Sequence, residues 1–484
     1  MIIDLLSQYS VKASGDQNIA TLENMYLEEE QKNPLRQDPR AAVGDEYQLT
    51  AYPTPGLVTF CTTGEANVRA LCEHNEITYC VAGNKFGSID SSGTFAQLGS
   101  NLTTSSGFAK IVAITGSSDT NNQLVIIDGT NGYSYNLGTS TATFPIADAD
   151  FPQTCSDIIA LDDYIIYQKN SSIVFGLSDV SDSLTYAALD FSSKLRKSDK
   201  IGAISDLNGE LWLLGTKTAE VHIDTGNSDF QFERRPDVFL EQGIAAQRTL
   251  CKAASTLLYL GKNLNGGYGI AQIDHYDAKV ISPKSIMTLI GGMTTISDAF
   301  AYGHAPKGGH EFYSLTFPTE NKTIELDMSN GAWTIRSSYI SSTYGRFLGN
   351  CHAFCYNKSL IGDYNSGLVY YQDAATYTEN GTAIRRRFIS PHIYSEGKLI
   401  ECRYLQIDLQ TNVGSNKTFT LEMSNDHGNS WSTVGTYTVP TAGDGQIRVP
   451  ALGTSVVFTF RITTTDNFKF VIRGFQGNFT QAEW

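Results

Sequence analysis

One pattern recurs along most of this chain: two short apolar strands joined by a turn, followed about 45 residues later by the same arrangement. The clearest copy runs Glu210–Leu214, a turn at Gly215–Lys217, and Thr218–Ile223. The next is Ser255–Leu260, a turn at Gly261–Gly267, and Tyr268–Ile273. Turn residues between apolar runs mark hairpins, and a hairpin that repeats at this period marks the blades of a β-propeller. Counted outward, the central turns fall at Gly83, Gly129, Asn170, Gly215, Gly261, Phe317 and Gly362, separated by 46, 41, 45, 46, 56 and 45 residues. An outer strand on each side, such as Asp157–Leu161 before and Tyr186–Phe191 after one hairpin, gives four strands per unit.

Seven blades over residues 56–389 are expected, with six as the alternative because the end units are the least regular. A single blade cannot bury both sheet faces, whereas a closed ring can. Leu57–Cys61 is the candidate strand for closing the ring beside the last unit. The long interval holds an insertion, Ser282–Ser297, carrying the one convincing helix. Ser282 is the expected N-cap, Pro283 the first helical residue, Ile286, Met287 and Ile290 one face, and Gly291–Gly292 the stop. It reads either as a rim loop or as an element that meets a partner.

Two segments flank the repeats. Residues 1–55 are polar and broken by Pro34, Pro39, Pro53 and Pro55, and are expected to form an extended arm. Residues 390–484 carry longer alternating strands with short turns, expected to form an antiparallel β-sandwich. The basic triplet Arg385–Arg387 before it reads as a solvated edge strand, or else as a contact to an acidic partner.

The formal net charge is −15, which argues against a surface that holds nucleic acid by neutralising phosphates. No apolar run approaches 18 residues and Met1–Gln8 lacks a basic-plus-apolar leader, so neither a membrane span nor a signal peptide is expected. The eight cysteines lie sparsely within apolar strands and read as free thiols.

No constellation for catalysis stands out: no phosphate loop, no nucleophile elbow, no placed carboxylate pair. Cys351-His352-Ala-Phe-Cys355 lacks a zinc spacing and a second ligand pair. Ser424-Asn-Asp426-His-Gly428-Asn-Ser-Trp431 matches the Asp-box of sialidases, but once and outside the repeats, where it serves to close a turn. We therefore expect no catalytic, cofactor-binding or metal residues and no enzyme. The alternative function is a sialidase-like or glycan-binding propeller.

Gly215-Thr-Lys-Thr-Ala-Glu220-Val, Asp224-Thr-Gly226, Gln242-Gly243-Ile244-Ala245, and Gly261 leading to Lys279-Val280-Ile281-Ser282 together resemble a known family. Asn24-Met25-Tyr26, Pro53-x-Pro55-Gly56-Leu57, Val68-Arg69-Ala70-Leu71 and the Leu421–Trp431 turn follow its course too. It is the packaged-DNA stabilisation proteins of short-tailed bacteriophages, also called tail accessory factors, hubs or nozzles. The resemblance implies a structural virion protein of the tail, assembled in the host bacterial cytoplasm. It implies a six-fold ring below the portal and head-to-tail adaptor, continuing the DNA channel and retaining packaged DNA. It also implies attachment of tail fibres or spikes, and DNA passing through the lumen without sequence-specific binding. An acidic channel wall, which repels phosphate, agrees with that role.

Overall fold

The computed structural model describes residues 2–6, 21–31, 47–114, 122–194, 196–197, 199–227, 229–263, 265–306 and 309–482. Seven antiparallel blades follow one another from Val68 to Asp373. In blade 1 the order is Val68–His74, Ile77–Ala82, Lys85–Ile89 and Phe95–Gln97. Blades 2, 3 and 4 begin with Lys110–Ile114, Asp157–Leu161 and Ile201–Leu207. Blade 5 opens on an interrupted pair, Gly243–Ile244 and Cys251–Ala253. Blades 6 and 7 begin with Phe300–His304 and Gly349–Cys355.

Blade 7 is completed from the other end of the repeats. Its third strand, Leu368–Asp373, pairs antiparallel with Gly56–Thr62, so Leu57–Cys61 does close the ring. Between successive blades lie seven apolar clusters. Tyr79, Val81 and Phe86 meet Leu124 and Ile126, and the cycle returns where Leu360, Val369 and Cys61 meet Val68, Cys80 and Ala82. The others join blades 2 to 7 in turn. Each blade thereby buries both faces, which settles the number at seven rather than six.

The outer strand expected at Tyr186–Phe191 forms later, at Phe191–Ser193, because residues 178–190 loop out. The helix runs Lys284–Gly291. Its N-cap is Pro283, in extended conformation, with no side-chain cap. Ser282 is diverted: its buried hydroxyl accepts the Ile270 N–H at 3.0 Å. Ile290 is buried, and Ile286 and Leu289 pack with it into the cluster between blades 5 and 6. The helix thus fills an inter-blade seam, the first of its two readings. Among the described residues no helix is long and apolar enough to cross a membrane.

The second body is a β-sandwich. One sheet has the order Met25–Gln31, Tyr47–Pro53, Ile472–Gln481, Ile400–Leu409, Gln446–Pro450. The other runs Thr21–Glu23, Arg386–Ile389, Val457–Thr464, Thr418–Ser424, Ser432–Thr438. Leu22, Met25 and Leu27 share its core with Phe388, Phe419, Phe460, Phe475 and Phe479. The described parts of residues 1–55 are therefore not a free arm. Apolar side chains at positions 22, 25 and 27 find their burial among strands more than 350 residues away. Residues 386–389, expected as the end of the propeller, also belong to the sandwich. Residues 7–20 and 32–46 lie outside the described residues.

Candidate functional site

The two bodies are joined without a break in hydrogen bonding. The outer strand of blade 6, Trp333–Ile340, pairs in parallel with Thr21–Glu23, which pairs antiparallel with Arg386–Ile389, which pairs with Val457–Thr464. A propeller blade and a sandwich sheet are one continuous sheet. The joint is the candidate site, since it fixes the sandwich against the ring.

Asn24 is its keystone. The residue is fully buried with φ of 53°, a left-handed conformation that asparagine tolerates better than most. Its amide donates to Ser337 O and Oγ, both at 3.0 Å, and to Arg385 O at 2.9 Å. Its Oδ1 accepts the Ser337 N–H at 3.0 Å, and its backbone carbonyl accepts Thr54 N–H at 3.1 Å. One side chain thus ties the N-terminal segment to blade 6 and to the strand entering the sandwich.

Charge is concentrated here. Glu23 accepts Arg385 through Nε (3.0 Å) and Nη2 (2.5 Å) at Oε1 and lies 3.4 Å from Arg387 Nη1 at Oε2. Arg386 points to the other face and is 0% exposed. It donates to Tyr377 O at 2.9 Å and Asp466 O at 3.3 Å. The expectation of a solvated edge strand for Arg385–Arg387 is corrected: the strand is central, flanked on both sides, with Arg386 buried and Arg385 and Arg387 half-buried against Glu23.

Deeper in blade 6, Glu325 accepts Ser314 Oγ at 2.7 Å and contacts His304 Nε2 at 3.0 Å. Arg336 Nε lies 3.6 Å from Glu325 Oε2, and its guanidinium rests 4.4 Å from the Phe347 ring centre. Glu379, on the strand beside Leu57, is buried with Oε1 lacking a hydrogen-bond partner among the described residues. Burial pushes its carboxyl up to about 7, against the opposing pull of Arg336.

The other sequence candidates fall elsewhere. Cys351 and Cys355 pack in the seam between blades 7 and 1, and all eight cysteines are thiols. Burial drives the Cys351 thiol up to about 12. Among the described residues no group of three or more His, Cys, Asp and Glu side chains could hold a metal. The histidines are less isolated than their spacing suggests: His304 and His352 rings lie 5.9 Å apart, and His392 and His427 rings 5.2 Å apart. Neighbouring inner strands of blades 6 and 7 carry the first pair and two loops of the sandwich the second, and no local motif announces either. The Asp-box closes a turn in the sandwich. Asp426 accepts Ser424 Oγ (2.7 Å), Ser430 N (2.9 Å) and Ser430 Oγ (2.5 Å), which hold its carboxyl down at about 2. Trp431 lies under Arg461 at 4.1 Å.

The repeat array and its closing strand delimit what must be matched in any relative. A family model described as "Bacteriophage P22 Gp10, beta-propeller" matches residues 39–377, the span from just before Tyr47–Pro53 to just past blade 7. The chain belongs to that family. Membership gives this Gp10-family protein a structural role of the phage tail and DNA-stabilisation class. No curated protein sequence matches the chain. Solved structures similar to it include PorZ, a surface component of the type-IX secretion system of Porphyromonas gingivalis, at 11% identity and TM-score 0.38. That match covers 79% of this chain and 46% of PorZ, so the chain spans less than half of it. An exo-β-1,3-galactanase from Phanerochaete chrysosporium matches at 10% identity and TM-score 0.29, covering 88% of this chain and 100% of that one. At these scores neither neighbour bears on function.

Proposed function

We propose that this Gp10-family protein is a tail nozzle or hub of a short-tailed phage. It assembles as a six-fold ring below the portal and adaptor, continues the DNA channel, helps retain the packaged genome and carries tail fibres or spikes. The observation that carries this reading is the family match over the whole propeller. The geometry of the joint supports it. A ring under the pressure of packaged DNA needs subunits that do not flex internally, and here blade 6 and the sandwich share one sheet with Asn24 locked across it. A closed propeller has few free edges, so neighbours are expected to bind through the sandwich and the blade rims. The net charge of −15 suits a wall along which DNA slides.

Mass measurement tests the reading. The purified protein, alone and mixed with a portal–adaptor complex, is expected to form a species with six copies, at least on the connector. A persistent monomer that ignores the connector would overturn the proposal.

A further inference from the structure

The innermost strands of six blades, and in blade 5 the turn at residues 247–250 between its two short inner strands, line one axial cavity of about 520 Å³. Its wall carries four cations, Arg69, Lys110, Arg248 and Arg346, and a single carboxylate, Asp157. Such a concentration of positive charge runs against a chain whose net charge is −15.

Asp157 is already committed. Its Oδ1 accepts Lys110 Nζ at 2.6 Å and Ile158 N at 3.0 Å, and its Oδ2 accepts Ile204 N at 3.2 Å. Lys110 and Asp157 cancel, which leaves three guanidinium charges facing one space.

The three arginines differ in what they can offer. Arg69 is buried and spends all its N–H groups on the carbonyls of Gly83, Thr104, Gly107 and Phe108 and the Thr104 hydroxyl, at 2.8–3.1 Å. It supplies charge but no donor. Arg248 makes one long hydrogen bond, 3.4 Å to Asp298 O, and lies 5.5 Å from the Phe108 ring centre. Arg346 rests 3.5 Å from the Tyr364 ring centre, and its guanidinium has no hydrogen-bond acceptor among the described residues. A guanidinium stacked on a ring is held in place while its N–H edge stays open, which suits bidentate capture of an oxyanion. Walls of low dielectric focus the field of such charges into the space between them. Asp128 and Asp298 act on Arg69 and Arg248 from outside the lining and partly offset their charge, while on the wall itself cations outnumber carboxylates. The volume exceeds that of a bare oxyanion and falls in the range of small-molecule pockets, roughly 300–1,000 Å³. Phe108, Phe300, Tyr302 and Tyr364 add aromatic surface to the wall.

We infer that the axial cavity binds a small phosphate-bearing molecule, its phosphate gripped by Arg346 and Arg248 in the field of Arg69. Binding of this kind is separate from ring assembly and stands or falls on its own.

Titration of the full-length protein at constant ionic strength tests the site, with inorganic phosphate and adenosine monophosphate as probes. Phosphorus NMR line broadening and calorimetry are the readouts. Saturable binding of at least one probe is expected, weakened at least tenfold in Arg346→Gln and further in the Arg248→Gln, Arg346→Gln double variant. Tighter binding of the nucleotide assigns the aromatic wall to an organic moiety, whereas equal binding assigns the site to free phosphate, and both support it. Should the variants fail to fold, competition on the unaltered protein decides: sulfate is expected to displace the probe and chloride is not. Absence of saturable binding to either probe, undiminished binding in folded variants, or equal displacement by chloride would overturn the inference.

Discussion

At several blade tips the first two strands are joined by two residues that both have positive φ: Asn75–Glu76, Asp162–Asp163, Asn208–Gly209, Ala254–Ser255 and Tyr356–Asn357. These tight turns match the right-handed strand twist, but they strain residues other than glycine, asparagine and aspartate. Ala254 is exposed at φ 47°. Ala254→Gly is therefore expected to stabilise the protein by about 1 kcal/mol, read as a higher urea midpoint; a lower midpoint would refute the strain. Glu379 is the second residue with a measurable signature. Its folded-state pKa, about 7, lies above the ordinary glutamate value of 4.5, so the folded protein holds the proton more tightly than the unfolded chain. Its contribution is fully present below pH 4.5 and is lost as pH rises through 7, a swing on the order of 3 kcal/mol. Glu379→Gln is expected to raise the unfolding midpoint at pH 8 and to flatten its dependence between pH 4.5 and 7. Equal pH profiles for the two proteins would show that the carboxyl is not held in this way. Neither residue could be singled out in the sequence, because strain and desolvation are properties of a position in the fold.

Strands and turns were legible to different degrees. The central hairpins are readable because a strand pair and its turn lie within about 20 residues, and burial on both blade faces leaves apolar runs such as Leu124–Ile127. The closing role of Gly56–Thr62 has no local signal, since its partner Leu368–Asp373 is some 300 residues away. Leu57 is 1% exposed in the seam between blades 6 and 7. Leu57→Ala is expected to cost about 2–5 kcal/mol and to raise hydrogen exchange across blade 7 and its neighbours. Destabilisation confined to residues 56–62 would show that the strand is an ornament on the ring. The helix departs from the expected cap for a local reason: the Ser282 hydroxyl is recruited by the Ile270 N–H across the sheet edge.

For the whole molecule the governing fact is the sheet shared by blade 6 and the sandwich. Separate domains on a linker would unfold separately, while bodies that share hydrogen bonds and an interior charge network are coupled. A single calorimetric transition is expected, in which near-ultraviolet signals of propeller and sandwich disappear together. Two well-separated transitions would count against coupling at the joint. Arg386→Ala is expected to lower that transition, at about 1.5–3 kcal/mol for each charged hydrogen bond lost, since its buried guanidinium donates to the Tyr377 and Asp466 carbonyls.

Period, turn chemistry and alternation, all carried by neighbouring residues, determined that this chain builds blades and then a sandwich, and made the family recognisable. What only the tertiary structure decided was who pairs with whom across the chain. Local patterning sets whether a segment is a strand, but not which distant edge it fills. Hence the N-terminal strands read as an arm although they complete the sandwich, and Arg386 read as solvated although its strand lies at the centre of a sheet. The axial cavity is the extreme case. Arg69, Arg248 and Arg346 are ordinary surface-type residues in sequence, and only ring closure turns them toward one another.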